Sequence, residues 1–167
     1  LPSVHDRLVG KKGAFEKSLA GLSNMLALKA SVGVNLLITK ANYRDLPGTL
    51  KFFMDKGVSN FVLIYPLYSG AMAGSAGLRL SLPEAAPFIV EALRLAAGSG
   101  LGREVKALNV PPCQLPGFAT RAAGLYRFNT VVVAADGTAR DLDSAAAASR
   151  LQGPPCARCF FKKTCRG

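Results

Sequence analysis

At 167 residues, half of them hydrophobic, the chain has material for one ordinary domain and a small appendage, and it is too short for a complete eight-fold β/α barrel of about 250 residues. A formal charge of +11 raises nucleic acid as a partner, but most of the cations are scattered and no aromatic stacking platform accompanies them, which makes that reading secondary. No apolar run approaches the roughly 18 to 20 residues that cross a bilayer, and LPSVHDRLVG lacks the charged-then-apolar start of a secretory signal; the expected setting is the cytoplasm, without a membrane partner.

In chain order, Phe15, Leu19, Leu22 and Leu26 recur at steps of four, three and four and predict a helix over residues 13–30. SVGVNLLIT follows as an apolar run of strand length. Leu46, Leu50 and Phe53 resume the helical spacing until Gly57, and FVLIY is a second apolar strand. A third helix opens at Ser81, with Glu84 three positions on as a capping-box partner and Pro83 in the first turn, and closes near Gly98. EVKAL reads as a further strand. Apolar strands alternating with helices predict an α/β fold, a parallel sheet under helical cover. Its N-terminal edge is then unpaired, a liability that natural domains cover or extend. The chain starts at Leu1 and stops two residues past Cys165, and it reads as cut at both ends.

After Val110 the character changes. Pro111, Pro112 and Pro116 break regular structure around Cys113, and RFNTVVVAADGTARDL reads as two short strands turning at Asp136-Gly137. DSAAAASR predicts one or two helical turns. The expected division is therefore residues 1–109, a parallel α/β part, and residues 110–167, a small cysteine-bearing extension with a β-hairpin.

All four cysteines fall in that extension: Cys113 in NVPPCQLPG, then Cys156, Cys159 and Cys165 as C-x2-C-x5-C. Two close sulfurs need only a turn, and a distant one locks the fold around a soft metal centre. Four thiolates suit zinc and an iron–sulfur cluster alike, and ligand count does not separate them. A C-x2-C loop fits metal or redox chemistry better than disulfides. Arg158, Lys162, Lys163 and Arg166 surround the trio, where they would lower thiol pKa and offset the negative charge of a thiolate-bound centre. The centre could also act only as a staple for an extension too thin to stand alone.

The runs HDRLVGKKGAFEKSLAGLSNML and VNLLITKANYRDLPGTLKFFMDKGVSNFVLIYPLYSG resemble the second half of a radical S-adenosylmethionine (radical SAM) enzyme core. NVPPC and the terminal C-x2-C-x5-C resemble the auxiliary iron–sulfur extension of twitch or SPASM type found in that superfamily. The resemblance implies a partial, half β/α barrel in residues 1–109 and an auxiliary four-iron, four-sulfur cluster on Cys113, Cys156, Cys159 and Cys165. The related pattern usually carries another cysteine shortly after the last one here. It further implies S-adenosylmethionine at the carboxyl ends of the strands, with Asn42 and Tyr65 as candidate contacts and Asn35 and Lys40 as weaker ones. The complete enzyme would make a 5′-deoxyadenosyl radical and modify a substrate that the sequence does not name, with peptides a common target of relatives. The C-x3-C-x2-C loop that holds the catalytic cluster is absent from the sequence. The implied partner is a missing N-terminal half, and the chain by itself is expected to be inactive.

Three features carry bland readings beside the functional ones. His5 and Asp6 adjoin, but neighbouring side chains in a loop rarely face each other, so a structural role is expected rather than proton transfer. Gly70, Gly74 and Gly77 lack phosphate-loop spacing and read as a flexible active-site loop, or equally as a flexible linkage with no ligand. Asn42 could merely turn the chain, and Lys40 could be solvated. Against the enzyme stands a second class of function, a non-enzymatic, zinc-stapled basic module for RNA or an acidic partner, supported by charge and the four thiols alone.

Overall fold

The computed structural model describes residues 2–68, 70–102, 104–124, 131–141, 144 and 151–165. The helix expected over residues 13–30 is α2 (Ala14–Ala27), and an unpredicted helix, α1 (Pro2–Val9), precedes it. None of α1's residues is fully buried, but Val4, His5, Asp6 and Leu8 are half-buried and the helix packs on α2. Its place is fixed by Asp6, whose carboxylate accepts the backbone N–H groups of Gly13 and of Phe15, the latter at 2.8 Å. Those are orphan donors at the start of α2, and accepting them holds the Asp6 carboxyl below its ordinary range.

The three predicted strands are β1 (Gly33–Leu37), β2 (Asn60–Ile64) and β3 (Val105–Leu108), joined by a two-residue β4 (Ala122–Ala123). They lie side by side in chain order, and every pairing is parallel. Such unreversed order belongs to barrel walls, whereas doubly wound sheets reverse direction at a switch point. The register aligns Val34 with Phe61 and Val105, and Leu36 with Leu63 and Ala107. Partners in register share a face. On this face Phe61, Leu63, Val105 and Ala107 are all fully buried. They join Leu46 and Leu50 of α3 (Leu46–Met54) and Ile89, Leu93 and Ala96 of α4 (Leu82–Gly98) in one core. Each large apolar side chain buried there contributes about 1.5–3 kcal/mol.

The opposite face carries Asn35 beside Val62 and Lys106, then Leu37 beside Ile64, Leu108 and Ala123. None of these belongs to the core, and Asn35, Leu37 and Lys106 are exposed. Among the described residues the expected helical cover therefore lies on one side only. Parallel sheets are ordinarily covered on both faces, so this half-dressed sheet is the fold's main departure from a free-standing α/β domain. Among the described residues no helix is long and apolar enough to cross a membrane.

The third helix begins as the sequence predicts. Ser81 is its N-cap with Glu84 completing the capping box, and Pro83 lies in the first turn. After β3 the chain turns at Asn109, which adopts the left-handed conformation (φ 62°), and a 3₁₀ turn over Pro112–Gln114 follows. Val110, Leu115 and Ala122 continue the buried core. The predicted hairpin is β5 (Val131–Val133) with β6 (Ala139–Asp141), antiparallel and exposed throughout. In its turn Asp136 Oδ1 accepts from Thr138 N and Oγ1, and Gly137 supplies φ 82°. Apart from Ser144, the alanine-rich stretch expected to be helical lies outside the described residues.

Two turn glycines with similar φ provide a test. A Cβ at Gly137 would meet nothing within 4 Å, whereas one at Gly124 (φ 77°) would stand 2.5 Å from Leu108 Cδ1 and 3.1 Å from Asn109 Oδ1. Gly137→Ala should therefore cost only the conformational penalty, about 1 kcal/mol. Gly124→Ala should cost about 2–4 kcal/mol, because steric displacement of the β3 end adds to the same penalty. Urea denaturation of both variants checks the ranking.

Candidate metal centre

The two cysteine-bearing segments are shaped by short turns. Pro111 enters in extended conformation, and the 3₁₀ turn of Pro112–Gln114 carries Cys113 beside the core. In the C-terminal segment a 3₁₀ turn over Pro154–Arg158 carries Cys156. The chain then folds back through Cys159 N to Cys156 O (3.2 Å), Lys162 N to Cys159 O (3.1 Å) and Cys165 N to Phe161 O (2.7 Å). Gln152 closes the loop, its Nε2 donating to the carbonyls of Lys162 (3.1 Å) and Cys165 (2.7 Å). Cys165 packs against the hydrophobic core, which docks the loop on the body of the protein.

These turns bring Cys113, Cys156, Cys159 and Cys165 into the wall of one pocket, with Pro112, Gln152, Phe161 and Lys162 as its other lining residues. All four thiols are free. Partial burial pushes the Cys113 thiol up, and the thiols of Cys165, Cys159 and Cys156 add to that push. Crowded thiols resist ionising together, and a bound cation removes the obstacle. Among the described residues no group of three or more His, Cys, Asp or Glu is assembled to hold a metal ion. The four sulfurs share a pocket without closing around a point. As a donor set, four soft sulfurs between a proline and a phenylalanine wall fit zinc or an iron–sulfur cluster.

The strand-end residues meet elsewhere. Asn42 Oδ1 accepts from Thr39 N (2.7 Å) and Thr39 Oγ1 (3.1 Å), and Asn42 Nδ2 donates to Leu37 O (2.8 Å). Asn42 thus binds the loop after β1 to its own strand. Lys40 reaches α4, its Nζ 2.7 Å from Glu84 Oε1. Tyr65 Oη donates to Leu80 O (2.6 Å), and burial, above all, pushes its hydroxyl pKa well up. Asn35 is separate, exposed on the bare face of β1. The structure therefore brings Lys40 and Tyr65 to the start of α4, leaves Asn42 within its loop and sets Asn35 apart.

Four further residues complete these networks: three that sequence reasoning passed over, and Glu84, anticipated as the capping-box partner of Ser81 but not as the partner of Lys40. Tyr68 Oη donates to Leu80 O (2.9 Å) and accepts from Leu80 N (2.8 Å), so two tyrosines grip the residue before the α4 cap. Asn109 Nδ2 donates to Tyr65 O (3.1 Å), tying the end of β3 to that of β2. Glu84 and Gln152 are the others. Of the three passed over, only Asn109 had a sequence signal, an asparagine between a strand and a proline pair. Of the remaining features, His5 and Asp6 lie in helix α1 rather than in a loop and do face each other, His5 Nδ1 standing 3.5 Å from Asp6 Oδ1, while Asp6 also caps α2 and His5 lies edge-on to Phe15 at 5.6 Å. The glycine-containing stretch forms 3₁₀ turns over Gly70–Gly74 and Ala76–Leu78.

Fe-coproporphyrin III synthase of Methanosarcina barkeri is 30% identical to the chain over 105 residues, which are 61% of this chain and 26% of that protein. Pre-heme d1 synthase of Dinoroseobacter shibae is 35% identical over 68 residues, 41% of this chain and 17% of that protein. The matched part thus spans about a quarter or less of these relatives' length. Both are radical SAM enzymes, and the partial likenesses support that superfamily. No protein-family model matches the chain, and no solved structure matches it significantly.

The α4 cap gives a pH prediction. Glu84 is held down at about 2, from an ordinary 4.5, first by the hydrogen bond from Lys40 and then by those from Ser81; Lys40 is raised by the same contact. A depressed carboxyl adds stability that is complete above about pH 4.5 and is lost as pH falls toward about 2. The pair is well exposed, so the effect is modest and weakened by salt. Glu84→Gln should lower the melting temperature above pH 4.5 and flatten its fall between pH 4.5 and 2. Thermal scans at low and high salt read both features.

Proposed function

We propose that the chain is the C-terminal part of a radical SAM enzyme. In this reading residues 1–109 belong to the wall of a β/α barrel, and residues 110–167 form a twitch- or SPASM-like extension. Cys113, Cys156, Cys159 and Cys165 hold an auxiliary four-iron, four-sulfur cluster. The observation that carries the reading is the shared pocket: two cysteine segments far apart in sequence line one wall, beside a core whose strands run in barrel order. The partial likeness to two radical SAM enzymes supports it independently.

S-adenosylmethionine and the superfamily's own catalytic cluster supply a carbon radical that takes a hydrogen atom from substrate. This chain's residues have other tasks. Phe161 and Pro112 keep water from the sulfurs, Lys162 offsets their charge, and Gln152 sets the loop's curvature. Asn42, Tyr65 and Lys40 act as positioning residues that fix the strand-end loops around the S-adenosylmethionine site, while exposed Asn35 can be reached directly from the bare face. The remainder of the barrel, contributed by the protein's N-terminal half, would pair with β1 and cover that face. Both relatives are named for haem-type tetrapyrroles, so a tetrapyrrole is a more specific substrate class than a peptide. Four free thiols also suit a reducing compartment such as the cytoplasm.

Anaerobic reconstitution with iron and sulfide tests the reading. It should yield a brown protein with about four iron and four sulfide per chain. Cys156→Ala and Cys159→Ala should each lose more than about half of that iron, because each leaves the centre short of a thiolate. A colourless protein that carries one zinc and no labile sulfide after the same treatment supports the zinc-stapled module instead.

A further inference from the structure

The hairpin of β5 and β6 contributes nothing to the hydrophobic core and nothing to the wall of the thiol pocket. Every residue from Val131 to Asp141 is exposed. Val131, Val132 and Val133 are 62%, 47% and 66% exposed, so a run of β-branched apolar side chains stands in water. A two-stranded ribbon with neither face covered is marginal by itself, and further strands or a face to pack on are what steady it.

Backbone geometry shows which edge is available. Ala134 N–H donates to Thr138 O at 2.9 Å, and the register sets Val132 against Arg140. Successive residues of a strand direct their amide groups to opposite sides. Val132 therefore bonds toward β6, and the N–H and C=O groups of Val131 and Val133 point away from it. Among the described residues no further strand pairs with them. The two edges of the ribbon differ in chemistry. β6 carries Arg140 and Asp141, adjacent charges of the kind that discourage strand addition, whereas β5 has no charge and no proline. Its one protection is its length of three residues.

Charge and composition point to the occupant. The chain carries +11, an excess that holds copies of it apart. Residues 131–141 hold one arginine against two aspartates, so the hairpin is a slightly acidic island where two copies can meet without bringing clustered cations together. A strand that reads Val-Val-Val is also complementary to itself when it pairs antiparallel, since every position sets valine against valine.

We propose that β5 is a self-association edge through which two copies of this chain join as a two-fold symmetric pair, their hairpins merging into one antiparallel sheet. Val132 then lies on the two-fold axis opposite its counterpart, and Val131 of each copy exchanges backbone hydrogen bonds with Val133 of the other. Short strands bury less than the roughly 1,000 Å² of a stable interface. The pair is accordingly weak, with a dissociation constant between about 1 μM and 1 mM. Nothing in this pairing depends on what the thiol pocket holds.

Sedimentation velocity of the whole chain tests it, over about 1 μM to 1 mM, with dithiothreitol present to exclude links through the free thiols. A concentration-dependent equilibrium of monomer and dimer is expected. Val131→Lys and Val133→Glu should each weaken the dimer at least about tenfold, because each sets a charge against a valine of the other copy. Mixed in equal amounts, the two variants should recover it, since lysine at 131 of one copy then faces glutamate at 133 of the other. Both positions are exposed, so the melting temperature of either variant as a monomer should match that of the parent. A chain that stays monomeric throughout, a dimer indifferent to both substitutions, or variants that do not recover on mixing overturns the proposal. Indifference to the substitutions would assign the contact to another edge, such as that of β1.

Discussion

Phe61, Leu63, Val105 and Ala107 point to the same side of the sheet and exclude water completely. Strand side chains alternate, so burying these four sends Asn35, Val62, Ile64, Lys106 and Leu108 to the other side with no freedom to choose. A one-residue slip would expose Phe61 and Leu63 together, at about 1.5–3 kcal/mol for each. Register is therefore fixed by the helix-covered face, and the composition of the bare face follows from it. Every strand end, and the turn that carries Cys113 five residues after Leu108, is positioned by this packing.

The strand ends are tied to one another and to α4 rather than left as free loops. Asn109 holds the end of β3 to that of β2, and Tyr65 and Tyr68 both fasten on Leu80, the residue before the α4 cap. Lys40 crosses from the β1 end to Glu84 in the same cap. Hydrogen bonds between a side chain and a backbone carbonyl add little each, about 1 kcal/mol, but together they leave the carboxyl ends of three strands in one arrangement. A site assembled there inherits rigid supports, which is the requirement for holding a ligand in a reactive geometry.

The sequence was most readable where periodicity and capping agree. Helices α2, α3 and α4 and strands β1 to β3 follow apolar spacing, and the Ser81–Glu84 box and the Asp136-Gly137 turn carry their own chemical signals. Two elements escaped because they are short. The first helix has eight residues and a single half-buried apolar pair, Val4 and Leu8, too few to show a repeat, and β4 has only two residues, which is less than one period of alternation. Side-chain networks were legible only as far as residue type. Asn42, Lys40 and Tyr65 stand at strand ends as anticipated, yet their partners Leu37, Glu84 and Leu80 could not be read from spacing, because they depend on how α4 meets the sheet. The cysteines were the reverse case. Their identity and spacing led to the expectation of convergence, the structure brings them into one pocket, and the loop that carries three of them is closed by Gln152, a residue with no motif to mark it.

The pocket's position explains why an extension would be carried at this point of the fold. Cys113 lines the thiol pocket and also a second concavity formed with Pro83, Ala86, Pro87 and Val90 of α4. That helix is the element to which Lys40, Tyr65 and Tyr68 are anchored, directly or through the residue before its cap. A change in charge among the sulfurs would act first on Cys113, whose thiol is already raised by its surroundings, and next on the α4 turns that Cys113 adjoins. Through Cys113 the C-terminal loop therefore adjoins the helix to which the strand ends are tied, although it is distant from them in sequence.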